Sequence, residues 1–182
     1  MPMEALCGGV DWKARLGLVG AGGYRIAVSG HRPNRLPREL IGPLREQSKR
    51  VLTELAAALA PAPLSVCSAL AEGADRIVAS AGLACNLPLQ VWLPFAREDY
   101  QRDFASVTAR QEFTALLKQA QQVKALCFDY QHHRNAGYVA VGEQLVHVAD
   151  VLIAIWDGQP ARGAGGTAEV VQGAIDKGIP VI

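Results

Sequence analysis

No charge of one sign dominates this chain. Its 18 lysines and arginines meet 17 aspartates and glutamates, for a formal net charge of +1. That balance removes the electrostatic footprint of a nucleic-acid binder or of a protein drawn to anionic membranes, although a local basic patch stays open. No apolar run nears the roughly 18 residues of a membrane span. The N-terminus lacks the charged-then-apolar layout of a signal peptide. The four cysteines, Cys7, Cys67, Cys85 and Cys127, form no Cys-x-x-Cys pair. Cys67 and Cys127 fall in predicted strands, where a reduced thiol acts as a small apolar residue. A disulfide framework is therefore not expected, and a reducing cytoplasm is. His132 and His133 are adjacent, without metal-ligand spacing and without a companion Cys or carboxylate motif, so no metal is expected. No cofactor is expected either. Internal repeats and low-complexity segments are absent.

Half of the 182 residues are hydrophobic, enough to bury the core of one domain. Residues 1–23 show little periodicity and two Gly-Gly pairs, and read as an N-terminal extension. Residues 24–182 read as one domain in which strands alternate with helices. The expected strands are 24–29, 64–68, 89–93, 124–130, 151–156 and a last one from 179. The helix over 37–60 carries an apolar stripe of Leu40, Leu44, Val51, Leu52, Leu55 and Leu59, with Glu46 and Arg50 as an exposed pair. A short helix follows Gly73, with Ala74, Ile77, Val78 and Ala81 inward. Further helices are expected at about 103–122 and 136–149, the latter capped by Asn135. This alternation predicts a doubly wound parallel sheet, a Rossmann-like three-layer α/β/α fold. The chain stops inside an expected strand at Ile182, which points to a longer native protein or to a fold that few residues would finish.

The stretch 151–182 organises the rest. A buried apolar run leads into a loop with Gly158, Gly163, Gly165 and Gly166, then into a helix with Ala168, Val171, Ala174 and Ile175 on one face. Gly178 closes that helix, and Pro180 stands near the start of the next strand. Glycines let a backbone approach a ligand, and the free amides of a helix N-terminus favour phosphate or carboxylate. Glu169 in the first helical turn and Asp157 at the strand's carboxyl end are candidates for holding sugar hydroxyls or for acid–base work. A plain glycine-rich turn, with Glu169 complementing the helix dipole, explains the same residues. Two earlier strand ends carry comparable loops. Ser29, Gly30, His31 and Arg32 combine a hydroxyl, a tight turn, an imidazole and a guanidinium suited to phosphate. Glu72, Gly73 and Asp75 place acids at a small-residue turn, where helix capping is the competing role. Arg97, Asp99 and Arg102 read as a solvated charge run.

Four segments occur in one order: Ser29-Gly30-His31-Arg32, Ala71-Glu72-Gly73-Ala74-Asp75, Ala149-Asp150 leading to Ile155-Trp156-Asp157-Gly158, and Gly165-Gly166-Thr167-Ala168-Glu169. Together, over about residues 24–182, they resemble the SLOG superfamily of Rossmann-like domains, whose relatives include the LOG phosphoribohydrolases, the DprA DNA-processing proteins and the YpsA-like proteins. The resemblance implies that the first-strand loop and the Gly-Gly-Thr loop clasp a nucleotide or nucleotide-derived ligand. Those roles fall on Ser29, Gly30, His31, Arg32, Gly165, Gly166 and Thr167, with Glu72, Gly73, Asp75 and Gly158 beside them. LOG enzymes carry Pro-Gly-Gly-x-Gly-Thr-x-x-Glu; this chain lacks that proline and spaces Glu169 differently. Asp157 and Glu169 are also similar to the acidic pair of nucleoside 2-deoxyribosyltransferases. The expectation is thus a domain that binds or senses a small nucleotide-derived molecule. The alternative is an enzyme that cleaves an N-glycosidic bond, with Glu169 and Asp157 as its catalytic pair. Nucleic acid is not the expected partner. A homo-oligomer and a fused module beyond residue 182 stay open.

Overall fold

The computed structural model describes residues 14, 16, 17, 22–160 and 163–182, so most of the expected extension lies outside the described residues. Five parallel strands form one sheet: β1 (Tyr24–Gly30), β2 (Leu64–Ser68), β3 (Leu89–Leu93), β4 (Gln122–Ala125) and β5 (Val151–Ile155). Their spatial order is β4-β3-β2-β1-β5. β1 is paired on both sides: Ile26 lies between Val66 and Val151, and Ala27 between Cys67 and Leu152. Its residues 26–28 are fully buried, which is why the strand reads as an unbroken apolar run rather than an alternating one.

Successive side chains of a strand point to opposite faces. Ile26, Val28 and Val66 accordingly join one core, with Leu52, Leu55 and Leu59 of α1 (Arg38–Leu59), Val78 of α2 (Ala74–Ala84) and Phe113 of α4 (Val107–Gln119). Ala27, Cys67 and Leu152 join the other, with Val141 and Leu145 of α5 (Arg134–Val148) and Val170, Val171 and Ala174 of α6 (Thr167–Asp176). Helices thus cover both sheet faces in three layers. A single turn of helix, α3 (Arg97–Tyr100), precedes α4. From β1 the chain steps outward through β2, β3 and β4, then crosses back to place β5 on the far side of β1. The strand order therefore reverses between β1 and β5, the place where open α/β sheets form a ligand crevice.

Several elements depart from the sequence reading. β4 spans 122–125 rather than 124–130, and all four residues are exposed. Lys124 stacks over the Trp92 ring at 4.6 Å, giving this edge strand a charged cover. Cys127 therefore lies beyond the strand and is exposed, whereas Cys67 is buried in β2. Residues 97–103 coil into α3 and a further 3-10 turn, so α4 starts only at Val107, where Ser106 Oγ accepts from the Ala109 amide at 3.0 Å. α5 starts at Arg134, so Asn135 falls inside its first turn and His133, which makes no side-chain capping bond, holds the position before it. On α6, Val170 faces inward where Ile175 was expected; Ile175 is 56% exposed. Leu40, in the first turn of α1, is also exposed, and Glu46 pairs with Lys49 rather than Arg50. The last segment forms a single parallel bridge, Leu152 to Val181, beside β5. Among the described residues no helix is long and apolar enough to cross a membrane.

Candidate functional site

The loops that leave β1 and β5 are stitched together by backbone. The His31 amide donates to the Ile155 carbonyl at 3.0 Å, and the Ala74 amide donates to the His31 carbonyl at 3.0 Å. Gly30 makes this approach possible: a Cβ there would stand 2.5 Å from Ala74 Cβ and 2.8 Å from the Ile155 oxygen. The start of α2 and the end of β5 are thereby drawn to one point. Beside it, at the carboxyl edge of the sheet, a cleft of about 320 Å³ opens. Ser29, Gly30, His31 and Arg32 line it from β1, and Gly163, Ala164, Gly165, Gly166 and Thr167 line it from the loop into α6.

The second of these loops is held open by its own chemistry. Gly165 has φ +72, and a Cβ there would stand 2.6 Å from the Tyr138 carbonyl carbon, so only glycine fits without displacing α5. Glu169 reaches back from the first turn of α6, and its Oε2 accepts from the Gly165 amide at 2.7 Å. This is a capping contact, and it also sets a negative charge at the positive end of the helix. The Glu169 and Val170 amides donate to the Gly166 carbonyl. The Thr167 and Ala168 amides have no hydrogen-bond acceptor among the described residues. They leave a place for an anion.

Arg32 faces this helix start across the cleft. Its guanidinium stacks 5.5 Å from the Tyr138 ring centroid. Burial works against its charge, but the neighbouring phenols of Tyr100 and Tyr138 and the Asp75 carboxyl outweigh that and hold it more firmly protonated than usual. Tyr138 is itself fixed by its hydroxyl, which donates to Asp103 Oδ2. Asp103 also accepts from Tyr130 at 2.6 Å and from Arg134. Burial and the Asp103 bond push the Tyr138 phenol up to about 12. Asp75 is 5% exposed. Burial pushes its carboxyl up to about 7, against the opposing pull of Arg32, the Ala71 amide and Arg76. Tyr100 lines the cleft, and its fully buried hydroxyl has no hydrogen-bond partner among the described residues.

The structure brings eight of the expected residues to one cleft: Ser29, Gly30, His31, Arg32, Asp75, Gly165, Gly166 and Thr167. It places five elsewhere. Glu72 accepts from the Ala105 amide at 3.3 Å, towards α4. Gly73, at φ +107, packs behind the first loop, where a Cβ would stand 2.5 Å from the His31 oxygen. Asp157 is an exposed neighbour of the cleft, gripped by Arg35 at 2.7 and 2.8 Å and by the Gln159 amide. His31 Nε2 lies 2.9 Å from Asp157 Oδ1 and 3.1 Å from the Asp157 amide, so it donates to the carboxylate when it carries a hydrogen and accepts from the amide when it does not. Desolvation opposes ionisation of Asp157, but Gln159, Arg35 and His31 prevail and hold its carboxyl well below the usual range. Gly158 adjoins Asp157 in an exposed turn. Glu169 borders a second groove, between α5 and α6. Sequence reasoning missed Tyr100 and Tyr138, which reach the cleft from α3 and α5 and carry no motif of their own. Among the described residues no cluster of three His, Cys, Asp or Glu could hold a metal ion.

No family model and no curated protein matches the chain. Solved structures do match in fold. DprA from Streptococcus pneumoniae superposes with a TM-score of 0.59 at 13% identity over 87% of this chain, and DprA from Helicobacter pylori, studied for single-stranded DNA binding, with 0.59 at 15% over 88%. The protein TM1055 superposes with 0.53 at 17% over 87% of this chain and 72% of its own. The chain spans only 49% and 64% of the two DprA chains. In fold, the chain is a Rossmann-like three-layer α/β/α domain similar to those of DprA and TM1055.

Proposed function

We propose that this domain binds a nucleotide or nucleotide-derived ligand, with a phosphate seated between the α6 N-terminus and Arg32. One observation carries the reading: two loops from either side of the strand-order reversal line a single cleft, one offering unspent amides and the other a fixed cation. Anions favour such helix starts, and a guanidinium adds bidentate recognition. The size of the cleft suits one small molecule better than a strand of DNA. Binding is preferred to N-glycoside cleavage because Glu169 is spent on the Gly165 amide and Asp157 on Arg35 and Gln159, both outside the cleft lining.

Thermal unfolding with AMP, ADP-ribose and NAD tests this. A ligand present at about a hundred times its Kd adds about 2.7 kcal/mol, a rise of roughly 5–10 °C in Tm for a domain this size. Gly166→Trp, which fills the cleft wall, is expected to abolish the rise. No shift with any of the three, in a chain that melts cooperatively, would remove the reading.

A further inference from the structure

Within that reading, the buried side of the cleft poses a separate question. Asp75 spends one carboxylate oxygen on the Ala71 amide at 3.2 Å; the other accepts no hydrogen bond among the described residues. Tyr100 carries a hydroxyl that is wholly removed from solvent and has no hydrogen-bond partner among the described residues. Both residues line the cleft beside Arg32. A buried polar atom without a partner costs free energy comparable to a lost hydrogen bond, and native structures rarely keep one. The arrangement makes sense if something that enters the cleft supplies the missing partners.

The chemistry of the two groups narrows what that is. A phosphate would meet the Asp75 carboxylate as a like charge, and it has better places at the glycine loop and Arg32. An apolar group would leave both atoms unpaired. A hydroxyl can donate to a carboxylate, accept from a protonated carboxyl, and either donate to or accept from a phenol. It therefore pairs with Asp75 in both protonation states, which a fixed donor or acceptor on a base edge cannot do. Two adjacent hydroxyls offer one partner to Asp75 and one to Tyr100, which line the same cleft and interact electrostatically. We propose that Asp75 and Tyr100 form a subsite for the vicinal hydroxyls of a ribose, so that the cleft selects ribonucleotides over deoxyribonucleotides. The proposal rests on the nucleotide reading of the cleft but adds a selectivity which that reading does not require. The charged and titratable groups facing Asp75 and Tyr100 are Arg32 from the β1 loop, Tyr138 from α5 and Arg76 from α2 itself.

The test is calorimetric titration of the full chain with the four ribonucleoside 5′-monophosphates, then with the 2′-deoxy and 3′-deoxy counterparts of whichever binds. At least one deoxy form is expected to bind tenfold or more weakly, because a site built to hydrogen-bond a hydroxyl rejects an analogue that lacks it. Tyr100→Phe and Asp75→Asn should each weaken the ribonucleotide about five- to tenfold and leave that deoxy form within about twofold, so that the discrimination collapses. Tyr100→Phe should also keep or raise the Tm of the free protein, because the hydroxyl it removes is unpaired. Equal binding of ribo and both deoxy forms, with both lost in Arg32→Ala and Gly166→Trp, would overturn the subsite and leave the phosphate site standing. Binding by none of the nucleotides would overturn both. A free-state Tm more than a few degrees lower in Tyr100→Phe would show the hydroxyl to be spent inside the protein and would also overturn the subsite.

Discussion

Burial and charge meet most directly at Asp75. An ordinary aspartate titrates near 3.8, but burial lifts this one to about 7 despite Arg32, the Ala71 amide and Arg76. Between about pH 4 and 7 the folded chain holds a proton that the unfolded chain has released. Stability therefore falls as pH rises through that window, and the full cost is present above it. At roughly 1.4 kcal/mol per pH unit the cost is of the order of a few kcal/mol. Asp75→Asn keeps an acceptor for the Ala71 amide but carries no charge. In urea unfolding at pH 8 it is expected to be about 1–3 kcal/mol more stable than the parent, with the gap closing below pH 5. A variant less stable at pH 8 would mean that pairing with Arg32, not burial, governs this carboxyl. At this scale the sequence is legible where a motif is local. Ser29 to Arg32 and Gly165 to Thr167 announce themselves as glycine turns at strand ends. Tyr100 does not, because its position in the cleft depends on how a one-turn helix packs on Phe95, Phe104 and Phe113.

Between elements, the cleft depends on how closely the loop before α6 approaches α5. Gly165 touches the Tyr138 backbone, and Tyr138 carries the ring on which Arg32 rests. Gly165→Ala puts a side chain at φ +72 and against main-chain atoms, so neither loop nor helix can yield cheaply. It is expected to cost about 1–3 kcal/mol in chemical unfolding and to diminish the nucleotide-induced rise in Tm; an unchanged rise would show that the loop geometry is not needed for the ligand. Glu169 acts at the same place through the Gly165 amide. Glu169→Gln retains an acceptor and should keep most of the stability that Glu169→Ala loses, a difference of up to about 1 kcal/mol by thermal unfolding at this exposed site. Buried elements were readable before any coordinates: β2 and β3 span the residues their apolar runs predict, and α2 buries all four expected residues. Among the strands that pair, β4 is the one whose bounds differ most. Its sequence carries apolar Leu126 and Phe128 just beyond the strand, and both pack as partly buried residues of the neighbouring loop. Periodicity reports burial, and at a sheet edge burial and strand pairing part company.

Over the whole molecule, the same fold hosts different uses, and the structure of the cleft has to choose among them. The DprA comparison raises single-stranded DNA as a partner. Affinity for a strand comes largely from neutralised phosphates, and each one released from its counterions steepens the dependence on salt. This chain has 18 basic against 17 acidic side chains, and several basic groups near the cleft are already committed: Arg35 to Asp157, Arg134 to Asp103 and Arg76 to Glu112. Among the described residues, Arg32 is the cation that remains at the cleft wall, stacked on Tyr138. One such cation recognises one phosphate; it does not track a backbone. Fluorescence anisotropy with a labelled twenty-nucleotide single strand is therefore expected to show a Kd weaker than about 10 μM near 0.15 M salt. The slope of log K against log salt is expected to be shallower than about −1.5, the value for roughly two phosphate contacts. Any residual binding should be competed away by a mononucleotide, because both would need the same α6 amides. Submicromolar binding with a steep slope, unaffected by mononucleotide, would locate a nucleic-acid surface away from the cleft and leave the small-molecule reading to stand or fall on the titrations alone.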